Sequence, residues 1–189
     1  MHQSSSADSC RQQLFELLRR EAFFREKIVL SSGKESDYYV DARRVTLTAT
    51  GAYLSGRVIL DLLKDEKYDA IGGPTMGADP ILGAVAVLSH QDGRALNTFI
   101  IRKAPKAHGK QQQIEGPILS QGARVILVDD VATTGKAFLQ SLDVLEKEGV
   151  QVIKAVCLVD RNEGARAALA ERGCELTALF DSKQFLETK

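Results

Sequence analysis

The sequence predicts an α/β fold in which a central, mostly parallel β-sheet is flanked by helices. After Lys64, apolar runs of strand length alternate with helix-spaced apolar patterns, and the strand-like runs are almost unbroken by polar residues. Unbroken runs suit strands that are buried on both faces, and the alternation is typical of parallel sheets whose strands are joined by helices. The chain has 189 residues and shows neither an internal repeat nor a linker, so we expect a single domain, 1–189.

The first part of the chain is predicted to contain two helices separated by a polar turn. Leucines share one helical face over residues 9–20, with Ser9 or Asp8 as the N-cap. The segment LSSGKESDYYVDAR, residues 30–43, predicts a polar turn that includes a short strand. Apolar residues repeat at helical spacing again over residues 48–64, which predicts the second helix.

The remaining segments alternate between strand and helix patterns. In chain order they are a strand YDAIGG, a helix DPILGAVAVLSH, a strand LNTFIIRK, a strand ARVILVDD, a helix KAFLQSLDVLEKEG, a strand VQVIKAVCLVD and a helix GARAALAERG. Segment 103–117, KAPKAHGKQQQIEGP, interrupts the pattern because it holds a single bulky aliphatic residue. A loop this long in a compact domain is more often a lid or binding loop than a passive connection, although a solvated hairpin is the alternative.

Composition excludes several classes of function. The 25 basic and 25 acidic residues leave a formal net charge of zero, which argues against nucleic acid or a membrane surface as a partner. The amino-terminal MHQSSSADS is too polar for a signal peptide, and no apolar run approaches the roughly 20 residues of a membrane helix. Three widely spaced cysteines form neither a disulfide framework nor a CxxC metal motif. We therefore expect a cytoplasmic protein.

The stretch VILVDDVATTGKAF carries the most specific chemistry, because it places Asp129 and Asp130 at the end of a buried strand. Ligands of open α/β sheets bind outside the carboxyl ends of the strands. Two carboxylates there accept hydrogen bonds from a vicinal diol or hold a cation, whereas complementing the next helix dipole is the alternative role. The following ATTG offers hydroxyl and N–H groups at a helix N-terminus, where phosphate binds well. The spacing fits neither GxxxxGK[ST] nor GxGxxG, and the combination predicts a ribose 5-phosphate site.

This stretch resembles the phosphoribosyl diphosphate signature of type I phosphoribosyltransferases. Three further segments, LSSGKESDYYVDAR, RKAPKAHGK and LVDRNEG, resemble the amino-terminal segment, the catalytic loop and the distal segment of orotate phosphoribosyltransferases. The resemblance is collinear from about Leu30 to Gly164. It implies the type I phosphoribosyltransferase fold, with a small N-terminal hood at about 1–45 and a flexible catalytic lid loop at about 103–117.

The resemblance also implies a reaction and the residues that perform it. The phosphoribosyl group would pass from phosphoribosyl diphosphate to orotate, giving orotidine 5′-phosphate in pyrimidine synthesis, with Mg²⁺ held mainly through substrate and water. Catalytic roles would fall on Lys103, Lys106, His108, Asp129 and Asp130. Phosphoribosyl diphosphate would contact Arg102, Lys103, Lys106, His108, Asp129, Asp130, Val131, Ala132, Thr133, Thr134, Gly135, Lys136 and Ala137. Orotate would contact Thr133 and Arg161.

The resemblance further implies a homodimer with an active site shared between subunits. In that arrangement Arg102, Lys106 and His108 reach the neighbouring site, while Lys103 serves its own. Certain relatives carry a lysine where this chain has Ser31, and another in the loop at 73–80, so fewer cations reach the diphosphate unless Lys34 or another residue compensates.

Three alternative functions stay open at this point. The nearest is a phosphoribosyltransferase for a purine or for uracil, against which the orotate-type segments argue. A non-catalytic regulator that binds nucleic acid would be expected to show a basic face or an added domain. A bifunctional enzyme that also decarboxylates its product would need a second domain.

Overall fold

The computed structural model describes residues 4–29, 35–105 and 112–187, and a six-stranded sheet forms its centre. Its helices are α1 Ser4–Glu21, α2 Arg43–Thr46, α3 Ala49–Leu62, α4 Asp79–Gln91, α5 Lys136–Lys147, α6 Ala165–Ala170 and α7 Ser182–Glu187. Its strands are β1 Phe23–Phe24, β2 Ile28–Val29, β3 Glu35–Ser36, β4 Tyr39–Val40, β5 Ala70–Pro74, β6 Asn97–Ile101, β7 Ile114–Glu115, β8 Arg124–Ala132, β9 Gln151–Asp160 and β10 Leu176–Asp181.

The sheet has the strand order β10-β9-β8-β5-β6-β7, and all its neighbours are parallel except the β6–β7 pair. Connections through helices run outward from the centre, β5 to β6 by α4 in one direction and β8 to β9 by α5 in the other. The adjacent strands β5 and β8 therefore form the topological switch point, where open sheets of this kind bind ligands. The predicted mostly parallel sheet flanked by helices is confirmed.

Two apolar cores cover the two faces of the sheet, as its unbroken apolar strands require. Ile126 and Val128 of β8 pack in the core that also contains side chains of α1, α3 and α4. Val125 and Leu127 point to the opposite core, which is built with α5 and α6. Alternate residues of one strand thus serve both cores, because successive side chains leave a strand on opposite faces.

Residues 23–29 and 35–40, which together we call segment 23–40, lie outside the main sheet and form two small antiparallel ladders, β1 with β4 and β2 with β3. The chain enters the switch-point region directly after β4, through α2. Thr48 then caps α3 by accepting a hydrogen bond from the N–H of Gly51 at 3.0 Å, which explains why the second helix starts where the sequence predicts it.

Several predicted elements need correction. Helix α1 begins at Ser4, so Asp8 and Ser9 are helical residues and neither caps its start. Segment 103–117 is not loop throughout, because Ile114–Glu115 forms β7 and pairs with the end of β6. Strand β10 and helix α7 were not predicted, and both follow the last predicted helix.

Other expectations from composition can be compared directly. Cys10, Cys157 and Cys174 are free, and Cys157 is fully buried in the core within the apolar run of β9. Among the helices of the described ranges, none combines the length and the apolar character needed to span a bilayer.

Candidate active site

A cavity of about 720 Å³ opens at the carboxyl ends of β5 and β8, and we call it the site cavity. It is lined by Tyr39, Val40, Asp41, Arg43, Pro74, Thr75, Met76, Gly77, Lys103, Asp129, Asp130, Val131, Thr133, Thr134, Lys136, Ala137 and Arg161. Nine residues that the sequence predicts for substrate binding are brought together here, namely Lys103, Asp129, Asp130, Val131, Thr133, Thr134, Lys136, Ala137 and Arg161.

Asp129 and Asp130 form a crowded carboxylate pair within the last residues of β8, which continues past them to Ala132. The N–H of Asp130 donates to Asp129 Oδ1 at 2.9 Å, and the N–H of Val131 donates to Asp130 Oδ1 at 2.7 Å. Burial, together with the neighbouring Asp130 charge, raises the pKa of Asp129 well above its ordinary value. Burial also raises the pKa of Asp130, although the Val131 N–H and the Arg43 charge oppose this.

The loop after β5 lies directly against this pair. A Cβ atom added to Gly77 would lie 2.2 Å from Asp129 Oδ1 and 2.4 Å from Asp130 Oδ1, far closer than van der Waals contact. Thr75, at the start of the same loop, donates its hydroxyl to Asp79 Oδ2 at 2.8 Å, which ties the loop to α4. The backbone of the loop and the two carboxylates therefore form one tightly fitted wall of the cavity.

Residues 133–136 form the turn from β8 into α5, and we call them the phosphate turn. Gly135 has a φ of 81°, a conformation that favours glycine, and α5 begins at the next residue, Lys136. The first N–H groups of a helix have no partner inside it, so they are available to an anion. The start of α6 holds the backbone of Thr133 in place, because the Thr133 carbonyl accepts a hydrogen bond from the N–H of Ala165 at 3.1 Å. Ala132 is buried, and neither it nor Gly135 lines the cavity.

Arg161 follows the end of β9 and is nearly buried, with a side chain 4% exposed. Its Nε lies 2.9 Å from Glu163 Oε1, and its Nη2 donates to Ser36 Oγ at 3.1 Å. The guanidinium also stacks over the ring of Tyr38, 4.8 Å from the ring centroid. Segment 23–40 therefore holds Arg161 in place at the cavity wall, and part of its donor set remains for a ligand.

The remaining predicted residues lie elsewhere. Arg102 does not line the cavity, and its Nη1 lies 3.2 Å from Glu115 Oε1 across the β6–β7 pair. Lys106 and His108 lie outside the described residues, as do Ser31 and Lys34.

The carboxylate pair is the candidate position for a metal ion in this cavity. Among residues 4–29, 35–105 and 112–187, no group of three or more His, Cys, Asp or Glu side chains could hold a metal ion. Two adjacent carboxylates, Asp129 buried and Asp130 half-buried, suit an ion that takes most of its ligands from substrate and water, as Mg²⁺ commonly does.

The sequence reasoning missed part of the cavity wall. Asp41 and Arg43, which follow β4, and Thr75 and Met76, which follow β5, all line the cavity. The signal for the second pair was present, because they follow a predicted strand at the edge where ligands bind. Asp41 and Arg43 lack such a signal, since they belong to a segment outside the main sheet.

Comparison with known proteins adds independent findings. Residues 49–175 match the phosphoribosyl transferase domain family. An orotate phosphoribosyltransferase of Streptomyces avermitilis is 44% identical over 158 residues, covering 84% of this chain and 86% of that protein. The crystal structure of Mycobacterium tuberculosis orotate phosphoribosyltransferase in complex with Fe(III) dicitrate superposes with a TM-score of 0.81 at 38% identity, covering 93% of this chain and 98% of the other. A complex of the same enzyme with 5-phospho-alpha-D-ribosyl 1-diphosphate gives 0.77 at 35% identity, covering 93% and 98%.

Proposed function

Because the chain belongs to the phosphoribosyl transferase domain family and, within it, to the orotate phosphoribosyltransferases, we propose that it transfers a phosphoribosyl group from phosphoribosyl diphosphate to orotate. The products are orotidine 5′-phosphate and diphosphate, and the reaction belongs to de novo pyrimidine (UMP) synthesis. One observation carries the proposal: a single cavity combines a buried and a half-buried carboxylate, a phosphate turn at a helix N-terminus and a nearly buried arginine.

The phosphate turn binds the 5-phosphate of the donor. Its backbone N–H groups point from the start of α5, where the helix dipole also favours a negative charge. The hydroxyls of Thr133 and Thr134 and the ammonium of Lys136 add donors at the same place. Val131 and Ala137 flank the turn, so the phosphate lies between small side chains that leave room for it.

Asp129 and Asp130 bind the ribose hydroxyls. A vicinal diol presents two O–H donors, and each ionised carboxylate is an acceptor with two oxygens. Burial raises the pKa values of both aspartates, because it disfavours their charged forms. The O–H groups of a bound diol would donate to the carboxylates and favour the charged forms again. Negative charge beside the sugar also favours the positive charge that develops on the ribose as the glycosidic bond breaks.

Arg161 binds the orotate carboxylate. Glu163 and Ser36 fix its Nε and Nη2, so the guanidinium meets the ligand without first losing conformational freedom. Thr133 lies at the same end of β8, and the N–H of Arg161 donates to the Ala132 carbonyl at 2.9 Å, which brings the base site next to the phosphate turn. An anionic base is thus selected over a neutral one by a charge pair in a nearly buried position.

The cationic loop stabilises the leaving diphosphate. Lys103 lines the site cavity, and we assign Lys106, His108 and Arg102 to the same task from their places in the RKAPKAHG segment. Closure of the loop at about 103–117 over bound substrates would keep water away from the electron-poor sugar carbon.

Mg²⁺ is the cofactor that we propose for this site. Asp129 and Asp130 would hold the ion, directly or through water. When bound, it would supply Lewis-acid polarisation of the donor.

We propose a homodimer whose active sites are shared. A largely apolar recess of about 800 Å³ adjoins the site cavity and is lined by Asp41, Arg43, Arg44, Leu47, Met76, Asp79 and Pro80. Leu47 is 72% exposed and Met76 is 59% exposed, more than is usual for large apolar side chains. A second copy seated on this recess would bring its own cationic loop close to the site cavity.

Mixing two inactive variants tests the shared site. Lys106→Ala and Asp129→Ala, refolded together in equal amounts, should form hybrids as about half of all dimers. If the loop serves the neighbouring site, each hybrid holds one intact site and activity returns to about a quarter of wild type. Activity that stays absent despite confirmed hybrid formation contradicts the shared site.

Organisation and location complete the proposal. We take 1–189 as one domain, with its hood at about 1–45, where Ser36 and Tyr38 reach Arg161. The cytoplasm is our proposed location, consistent with three free cysteines.

Diphosphate release with a panel of bases tests the activity. With phosphoribosyl diphosphate and Mg²⁺ present, orotate should support release, whereas adenine, guanine and uracil should not. Turnover of one of these other bases without turnover of orotate would reject the assignment and favour the purine or uracil alternative.

A further inference from the structure

The site cavity must balance a diphosphate that carries several negative charges. Its lining includes four cationic side chains, namely Arg43, Lys103, Lys136 and Arg161. Lys136 belongs to the phosphate turn, and Arg161 is already engaged by Glu163. The loop after β5, Thr75-Met76-Gly77-Ala78, contributes no cation although it borders the carboxylate pair. Two cations are therefore left for the diphosphate among the residues that line the cavity, Lys103 and Arg43.

Arg43 lies at the end of the site cavity away from the phosphate turn. It lines both the site cavity and the adjoining apolar recess, as do Asp41 and Met76, whereas no residue of the phosphate turn lines the recess. With the 5-phosphate in the phosphate turn and the ribose hydroxyls on Asp129 and Asp130, this end of the cavity is the part left for the diphosphate.

The guanidinium of Arg43 is prepared for an anion. Its Nε donates to Asp41 Oδ1 at 3.3 Å. As far as the described residues show, the two terminal nitrogens are left to donate in parallel to two oxygens of a ligand. Partial burial lowers the pKa of Arg43, but the Asp41 and Asp130 charges outweigh this and raise the pKa above its ordinary value. The side chain is 40% exposed, so an entering ligand reaches it without opening the core.

We propose that Arg43 binds the diphosphate of the donor and supplies the charge that the loop after β5 lacks. This inference rests on the proposed function, because it assumes that the ribose lies on the carboxylate pair. Asp41 acts as a positioning residue, since its hydrogen bond to Nε turns the fork of the guanidinium toward the cavity. A planar fork suits the paired oxygens of a diphosphate better than the point charge of a lysine does.

Binding of two partial ligands separates this role from a structural one. Arg43→Ala should weaken binding of Mg²⁺-diphosphate by about 10- to 100-fold in calorimetric titrations, the usual range for losing a charge-assisted pair. Affinity for ribose 5-phosphate, which has no diphosphate, should change by less than about threefold. In steady-state assays, the KM for phosphoribosyl diphosphate should rise while the KM for orotate stays within about threefold of wild type.

Two further variants act as controls. Arg43→Lys should retain part of the diphosphate affinity. Arg44→Ala is the matched control, because Arg44 lines the recess and stacks over the Phe24 ring at 4.7 Å but does not line the site cavity. In samples that light scattering shows to keep the wild-type assembly, it should bind diphosphate as wild type does.

Several outcomes would overturn the assignment. Equal loss of diphosphate and ribose 5-phosphate binding, no loss of either, or an equal effect of Arg44→Ala would each do so. Loss of binding that follows dissociation of the protein, measured by light scattering in the same samples, would also overturn it. If wild type bound diphosphate but failed to use orotate, the proposed function would fail while the titration still tested Arg43.

Discussion

The carboxyl ends of β8 and β9 lie side by side, with Ala132 opposite Asp160. The acidic residues at the two ends have opposite electrostatic surroundings. Asp160, at the end of β9, is 1% exposed and forms an ion pair with Arg166. Its Oδ2 lies 2.7 Å from Arg166 Nε, and its Oδ1 accepts the N–H of Asn162 at 2.9 Å. Asp129, near the end of β8, is 8% exposed and has a second carboxylate as its immediate neighbour.

The difference distinguishes Asp160, whose carboxylate stabilises the fold, from Asp129, whose carboxylate we assign to ligand binding. An uncompensated buried charge is costly, and proteins tend to retain one where binding or catalysis uses it. In sequence the two strand ends look alike, an apolar run followed by acid. The cations and N–H groups placed around each acid distinguish them, and variants at the two strand ends measure that difference.

The largest effect is expected from Asp129→Asn. The amide keeps the shape of the side chain but removes its charge, so kcat/KM should fall by about 100- to 1,000-fold. The free energy of unfolding should not decrease, because a poorly compensated buried charge is removed. Steady-state assays and urea denaturation of the same preparation check both. Activity within about tenfold of wild type would place Asp129 with the structural acids.

Arg161→Ala tests the cationic side of the β9 end. Removing the proposed partner of the orotate carboxylate should raise the KM for orotate by at least about 30-fold, equivalent to about 2 kcal/mol. The KM for phosphoribosyl diphosphate should stay within about threefold. Arg166→Ala is the matched control, since Arg166 is 52% exposed, pairs with Asp160 and does not line the site cavity. Similar effects of both variants on orotate would contradict the assignment.

Asp160→Ala should instead act on stability. It removes the acceptor for the Asn162 N–H, at a residue whose φ is 58°, together with the ion pair to Arg166. We expect the free energy of unfolding to fall by about 2–3 kcal/mol. Asp160→Asn keeps an acceptor oxygen and should cost about 1 kcal/mol or less, because Arg166 is half exposed. Urea denaturation gives both values, and equal losses would show that the hydrogen bond contributes nothing.

The smallest effect is a pH dependence confined to the β8 end. The raised pKa values of Asp129 and Asp130 mean that the unfolded chain ionises first as pH rises. The stability advantage of the protonated pair is therefore complete below an ordinary aspartate pKa of about 3.9 and is lost as pH rises through the raised values. Without ligands, Asp129→Asn should gain stability relative to wild type as pH rises from about 4 through the raised pKa values. A constant difference over that range would contradict the raised pKa values.

The sequence predicts most of the sheet because its signals are local. Strands β5, β6, β8 and β9 are near-continuous apolar runs, and α3 to α6 carry helical periodicity, so each is recognisable without its neighbours. Strand β10 escapes this reasoning because half-buried Thr177 interrupts a short apolar run, and the run becomes a strand by pairing with β9. The early start of α1 escapes it too, since serines there are typical of caps rather than of a helix interior.

The site divides in the same way. The carboxylate pair and the phosphate turn are contiguous in sequence, so a motif identifies them. The contacts of Ser36 and Tyr38 with Arg161 join segments more than a hundred residues apart, as in the Arg161–Ser36 hydrogen bond. Arg43 meets the carboxylate pair from the same part of the chain, in front of the main sheet. Long-range contacts of this kind depend on how segment 23–40 packs on the sheet, which no local pattern reports.

The close approach of Gly77 to the two carboxylates has a consequence for redesign of this enzyme. Its neighbours Thr75 and Met76 line the cavity, so they are natural positions at which to install a new donor or a larger group. Gly77 leaves space for a hydrogen atom alone against Asp129 and Asp130. Directed evolution of the loop can therefore vary Thr75 and Met76, provided that Gly77 stays glycine and the backbone path of the loop is kept. Insertions or deletions in the loop would displace Asp129 and Asp130. A change in the length of this loop would therefore alter donor specificity and catalytic activity at the same time.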